Sequence, residues 1–340
     1  MPSPSPRVSF AAWRAGGYAN DPVPRRADPS SLQDFSGRTM GTTWSVRLDN
    51  PAMLPRDTIQ AAIEAALELV VAQMSTWEPS SSITRFNQAA AGSRHVLERE
   101  FAQVLACALH WAAASDGAID PTVGPLVALW GFGAQASALP RMPTAAEAEA
   151  ARARVGWQRL AFDGATRTLA QPGGVVLDLS GVAKGFAVDQ VADSLQALGL
   201  RDFLVEVGGE LRGAGRRPRG EPWQVAVEAG AQTVRIGLPD MSIATSGDRW
   251  HVRERDGRRW SHTIDPRSGE PLSHSLASVS VLHPRCADAD ALATLLTVLG
   301  PAQGLAFAQR HEIAALFVQH AATGPLQRAS SGWTEHVRTP

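Results

Sequence analysis

The sequence predicts an α+β fold, with mixed and antiparallel sheets and helices packed against them. Three observations carry this expectation. Short strand-like runs crowd the chain from residue 203 onward: FLVEV, WQVAVEA, VRIGL and SIAT. The runs HVRER and RRWSHTI are joined by Asp256-Gly257, a dipeptide suited to the tight turn whose twist matches paired strands. Helical spacing of apolar residues falls in separate blocks, without regular strand–helix alternation.

From the N-terminus, residues 1–35 are rich in Pro and Ser and lack the sustained apolar run of a secretory signal. Arg25-Arg26 is followed by Ala-Asp-Pro-Ser, which does not continue a twin-arginine signal. These residues read as a disordered or loosely attached arm. The chain as given reads as cytoplasmic, or periplasmic if a leader has been removed, and no stretch approaches the length of a membrane span. With 340 residues, 44% of them hydrophobic and 19% charged, the chain can bury a large core. A single domain is expected over 36–330, followed by a tail over 331–340. A formal net charge of −1 gives no general attraction to nucleic acid or to an anionic membrane. The basic stretch RGAGRRPRG (212–220) is rich in Gly and Pro and reads as a solvated loop.

Thr43, Ser45 and Arg47 alternate with Trp44, Val46 and Leu48, as in a half-buried strand. Asp57 with Gln60 resembles a capping box, ahead of Ile59, Ile63, Leu67, Val70 and Met74 at helical spacing. A second helix carries Phe101, Val104, Leu105, Ala108 and Leu109 and ends at Ser115-Asp116-Gly117. Cys107 on its apolar side reads as a buried thiol, and with Cys286 it makes neither a disulfide framework nor a zinc site. Asp163-Gly164 reads as a hairpin turn. ASVSVLH reads as a strand, DALATLLTVLG as a helix and EIAALFVQ as a closing strand.

The chemistry concentrates in a few stretches. VLDLSGVAKGFAVD (176–189) reads as a strand, a small-residue turn at Ser180-Gly181 and a helix. Lys184 precedes Gly185, so the Walker pattern fails, and the dinucleotide fingerprint fails as well. Asp178 then ends a strand and Lys184 stands at a helix N-terminus, a place that favours an anion. A turn glycine and a solvated lysine account for the same residues. In CADADALATLLTVLG (286–300), Leu292, Leu295, Leu296 and Leu299 line one helix face, and Asp290 and Thr294 fall together on another. A carboxylate and a hydroxyl so placed are hard oxygen ligands suited to Mg²⁺, and a first-turn acid favouring the helix dipole is the alternative for Asp290. Asp288 reads as a helix cap. His262, in WSHTIDPRSGEPL, is a candidate general base, or a structural histidine. Asp120 and Thr122 lie in a Gly/Pro-punctuated loop, and Gly208-Gly209 permits a close approach of ligand or backbone.

In their order along the chain, MGTTWSV, STWEPSSSITRFN, GAIDPTVGPLVALWGFG, LDLSGVAKGFAVD, VEVGGELRGAG, ATSGD, SHTIDPRSGEPL and ADALATLLTVLG resemble the ApbE family of flavin transferases. The resemblance runs from about Met40 to Gly300. It implies a two-lobed, T-fold-related architecture with FAD in the cleft between the lobes. It further implies Mg²⁺-dependent transfer of the FMN half of FAD to a Thr or Ser hydroxyl of an acceptor protein, with release of AMP, by a monomer or homodimer. Matched block by block, Asp290, Thr294 and the Gly181 carbonyl fall on metal ligands. Met40, Trp77, Ala118, Ile119, Asp120, Asp178, Lys184 and Ile264 fall on FAD contacts, and His262 on the base. The family often has Tyr at Trp77, and some members have a third carboxylate where Ala293 stands. An Mg²⁺-dependent FAD pyrophosphatase and a non-catalytic FAD-binding protein are the alternatives.

Overall fold

The computed structural model describes residues 31–136, 142–230, 232–247, 252–255 and 258–338. Most of the expected arm, the Asp256-Gly257 turn and Asp248 lie outside the described residues.

An eight-stranded, wholly antiparallel sheet forms the frame, in the order β1-β2-β6-β7-β10-β15-β16-β17. Its strands are β1 (Leu32–Thr39), β2 (Thr42–Asp49), β6 (Phe203–Val207), β7 (Glu210–Ala214), β10 (Ser242–Gly247), β15 (Leu276–His283), β16 (Ala314–Gln319) and β17 (Leu326–Ala329). Four small sheets complete the set. They comprise β3 (Arg94–Val96) with β4 (Ala161–Asp163) and β5 (Thr168–Ala170), then the pairs β8 (Gln224–Ala229) with β9 (Gln232–Gly237), β11 (Val252–Arg255) with β12 (Arg258–Ser261), and β13 (Ile264–Asp265) with β14 (Glu270–Pro271).

The helices are α1 (Arg56–Met74), α2 (Ser82–Asn87), α3 (Arg99–Ala114), α4 (Gly124–Leu129), α5 (Ala145–Arg152), α6 (Ala183–Ala197), α7 (Cys286–Arg310) and α8 (Ser331–Arg338). On one face of the sheet, α7 lies across β10 and β15, α6 packs between α7 and α1, and α3 packs on α7. The opposite face is covered by the β8–β9 hairpin and Trp333 of α8. A strand covered on both faces reads as a continuous apolar run, and residues 314–318 of β16 do: Ala315 and Phe317 join the helix-side core, while Ala314, Leu316 and Val318 join the other. A third apolar cluster, with Leu126, Trp130, Ala151, Trp260 and Ile264, forms a smaller lobe around α4, α5 and β12–β13.

Several expectations are corrected. The first strand begins at Leu32, inside the expected arm, and residues 331–338 of the expected tail form α8. Residues 175–179 form no strand and pair with none among the described residues; the Asn87 side chain accepts from the Leu177 N–H (2.7 Å) and donates to its C=O (3.0 Å), and Asp178 N–H donates to Pro121 O (2.8 Å). Asp57 and Gln60 form no capping box: α1 starts after Pro55, and Gln60 donates to Glu64 instead. The capping box among the described helices is Thr144–Glu147 on α5. Asp288 lies inside the first turn of α7 and accepts from Trp111 Nε1 at 2.8 Å rather than capping.

By length and apolarity α7 could cross a membrane, which departs from the sequence expectation, yet it is the core helix of this fold and most of it is buried. It breaks at Gly300 (φ 76°), where Pro301 supplies no N–H, and His274 Nε2 bonds the Thr297 carbonyl at 2.7 Å instead.

Candidate functional site

Two helix starts and two hairpin ends build the site. Helix α6 begins at Ala183, and α7 crosses it so closely that a Cβ on Gly185 would lie 2.2 Å from the Cys286 carbonyl oxygen and 2.8 Å from Asp290 Cβ. Glycine is required here by the approach alone. Asp189, one turn further along α6, accepts from the Cys286 and Ala287 N–H groups at 3.1 and 3.0 Å and from Arg212 Nη1 at 2.8 Å. This carboxylate caps α7 from a neighbouring helix and fixes the crossing. Nothing in the local sequence marks it, because its partners lie 97 and 98 positions away.

The crossing brings Asp290 and Thr294 to the turn before α6. Asp290 Oδ2 accepts from Gly185 N–H at 2.9 Å, whereas Oδ1 accepts no hydrogen bond among the described residues and faces Lys184 Nζ at 4.0 Å. Thr294 Oγ1 would sit 3.1 Å from a Cβ on Gly181, so the hydroxyl lies against that bare backbone. Burial pushes the Asp290 carboxyl above its ordinary range, with Lys184 and the Gly185 N–H opposing. Burial also works against charge on Lys184, but Asp290 and Glu210 outweigh it and raise its pKa. A third of the Lys184 side chain is exposed (33%), more than either carboxylate beside it.

Glu210, which sequence reasoning passed over, bonds Lys184 Nζ directly. It opens β7 just after Gly208 and Gly209, whose φ values of 61° and 102° make the two-residue β6–β7 hairpin, with Val207 paired to Glu210. The β1–β2 hairpin turns through Met40 and Gly41, both at positive φ (47° and 71°). Thr42, the residue after that turn, would lie 3.0 Å from a Cβ on Gly208, so Met40 stands at the same end of the sheet as Glu210.

A cleft runs on from this cluster. It is lined by Thr76, Asn87, Phe132, Val176 and Asp178, and the half-buried His262 faces Phe132 edge-on with ring centroids 6.3 Å apart. Trp77, beside Thr76, is 72% exposed, an indole held out of the core at the rim. Asp178 Oδ1 accepts from Ser180 N–H at 2.9 Å, which tightens the turn leading to Gly181.

Ala118, Ile119 and Asp120 are buried beside this wall. The Asp120 carboxylate is committed to structure: Oδ1 takes the Thr122 N–H and hydroxyl (2.8 and 2.6 Å), and Oδ2 takes the Trp157 N–H (2.9 Å). Burial still leaves its pKa raised, with Thr122 and Trp157 opposing. Ile264 is buried in the small-lobe core, on the strand pair that follows His262. The structure thus gathers Gly181, Lys184, Asp290 and Thr294 tightly; Asp178 lines the cleft, the exposed Trp77 follows the lining residue Thr76, and His262 packs against the lining residue Phe132.

No group of three or more His, Cys, Asp or Glu among the described residues could by itself hold a metal. The donors at the crossing are one carboxylate oxygen with no hydrogen bond, one hydroxyl and bare backbone at Gly181. Such a sparse set of oxygens fits Mg²⁺, which keeps waters and recruits substrate phosphates.

The sequence profile of the ApbE family matches residues 40–317. A curated FAD:protein FMN transferase of Vibrio cholerae is 39% identical over 90% of this chain and 92% of its own. One from Haemophilus influenzae is 38% identical over 90% and 91%. Among solved structures, the apo flavinyl transferase ApbE of Pseudomonas stutzeri superposes with a TM-score of 0.85 at 40% identity, covering 91% of this chain and 98% of that one.

Proposed function

The chain belongs to the ApbE family, and from that premise we propose that it transfers the FMN half of FAD to a Thr or Ser hydroxyl of an acceptor protein, releasing AMP. The observation that carries the reading is the convergence of Lys184, Asp290, Thr294 and the Gly181 turn near a cleft lined by Asp178 and by Phe132, whose ring packs edge-on against His262.

Asp290, Thr294 and the Gly181 carbonyl would hold Mg²⁺, which supplies charge neutralisation at the pyrophosphate. Lys184 brings a fixed positive charge to the same place. In the reaction the acceptor oxygen bonds to the FMN phosphorus and the P–O bond to the AMP phosphate breaks. The hydroxyl proton goes to the neutral His262 imidazole, and AMP departs with the electron pair of the broken bond. Such a transfer needs little covalent help from protein; positioning and charge do most of the work. Trp77 at the rim offers an aromatic face to a flavin or adenine ring.

The test is one incubation of the protein with FAD, Mg²⁺ and a Thr-containing acceptor peptide, followed by mass spectrometry. The expected product is a peptide heavier by one FMN, with AMP in equal amount. Free FMN without labelled peptide would make the protein a pyrophosphatase, and intact FAD a binding protein.

A further inference from the structure

The two carboxylates at the α6–α7 crossing differ in what they face. Glu210 is in direct contact with Lys184 Nζ, whereas Asp290 Oδ1 stays 4.0 Å from the same ammonium. Both carboxylates are inside, with side chains 3% and 6% exposed. One ammonium faces two carboxyl groups, and burial pushes the pKa of both above the usual carboxylate range. Glu210 opens β7 directly after the two-residue β6–β7 hairpin, which fixes its backbone beside Lys184. Its second oxygen, Oε2, is buried and bonds no other residue among those described. A buried carboxylate left half-satisfied costs stability, which is reason to look for a role beyond packing.

We infer that Glu210 is the counter-ion of Lys184, a positioning residue that keeps the ammonium off Asp290 and so leaves Asp290 Oδ1 open to a divalent cation. The inference rests on the metal reading given above. An ammonium 4.0 Å from a carboxylate oxygen needs to move only about 1 Å to form a charge-assisted hydrogen bond. In a site this sheltered the attraction between the two is strong, and a lysine without its own partner would settle on Asp290. A metal would then have to displace a bound ammonium. With Glu210 present, Lys184 is neutralised where it stands and remains directed toward a substrate phosphate.

The test uses FAD-free protein and Mn²⁺ as an electron-paramagnetic-resonance probe, so it reads binding without any turnover. Glu210→Gln keeps the size and one acceptor oxygen but removes the charge, and it is expected to weaken Mn²⁺ binding by about tenfold or more. Adding Lys184→Met to it removes the competing ammonium and is expected to restore binding to within about threefold of the parent. Mn²⁺ affinity is compared among variants whose melting temperatures match the parent, because removing both partners of a buried ion pair also relieves the structural cost of the lysine that Glu210→Gln leaves unpaired. Glu210→Asp, which retains the charge, is expected to bind Mn²⁺ better than Glu210→Gln; it carries the test if the Gln variant loses its cooperative thermal melt. Parent-like Mn²⁺ affinity in Glu210→Gln, or a double variant as weak as Glu210→Gln, overturns the inference. A parent protein that binds no Mn²⁺ overturns the metal reading itself, and the inference falls with it.

Discussion

His262 is where catalysis and mere binding separate. It sits between β12 and β13, half-buried and edge-on to Phe132, a residue that lines the cleft together with Asp178. If it takes the hydroxyl proton, His262→Asn should leave the melting temperature and FAD affinity nearly unchanged. Peptide flavinylation should fall by about 10²–10⁴-fold, the usual contribution of a general base. The parent rate should rise with pH to a plateau, because only neutral imidazole accepts a proton, and the variant should lack that inflection. A variant that still labels peptide within a few-fold of the parent removes His262 from the mechanism. The same reasoning separates Asp120, whose three hydrogen bonds hold its loop together. Its place in the motif is explained by loop structure.

At the level of elements, the α6–α7 crossing is the device that makes a site from residues about a hundred positions apart. Gly185→Ala tests it. The added methyl would meet backbone oxygen at Cys286, which cannot rotate away as a side chain can, so the helices must separate. A cost of about 1–3 kcal/mol is expected, seen as a lower melting temperature, together with weakened FAD binding as Thr294 moves from Gly181. Normal FAD binding with an unchanged melt would mean that the crossing distance does not matter. The helices α1, α3 and α7 were legible because their apolar spacing is local. The run before α6 looked like a strand for the same reason, but a strand needs a partner, and here Asn87 and Pro121 satisfy the backbone instead. The Asp189 cap and the Glu210–Lys184 contact were not legible. Both depend on pairings between elements, and neither residue sits in a pattern that announces a partner.

For the whole molecule, the order of motifs along the chain carried more information than any motif alone. Each stretch, taken singly, had an ordinary structural explanation. The fold brings Gly181, Lys184, Asp290 and Thr294 together at one end of an eight-stranded sheet and leaves the smaller lobe to form the other wall of the cleft. What the sequence could not convey was the sheet order, with β10 and β15 placed under α7, and the covering of both sheet faces. In the proposed function, the 178–184 turn and the 290–294 turn of α7 together bind the pyrophosphate of FAD with a divalent cation. The most direct measurement is a titration of FAD, and of riboflavin as the phosphate-free control, with and without Mg²⁺, on the parent and on Asp290→Ala. Mg²⁺ should tighten FAD binding to the parent by about tenfold or more, leave riboflavin binding unchanged, and lose its effect in Asp290→Ala. Equal FAD affinity with and without Mg²⁺ in the parent would contradict the account.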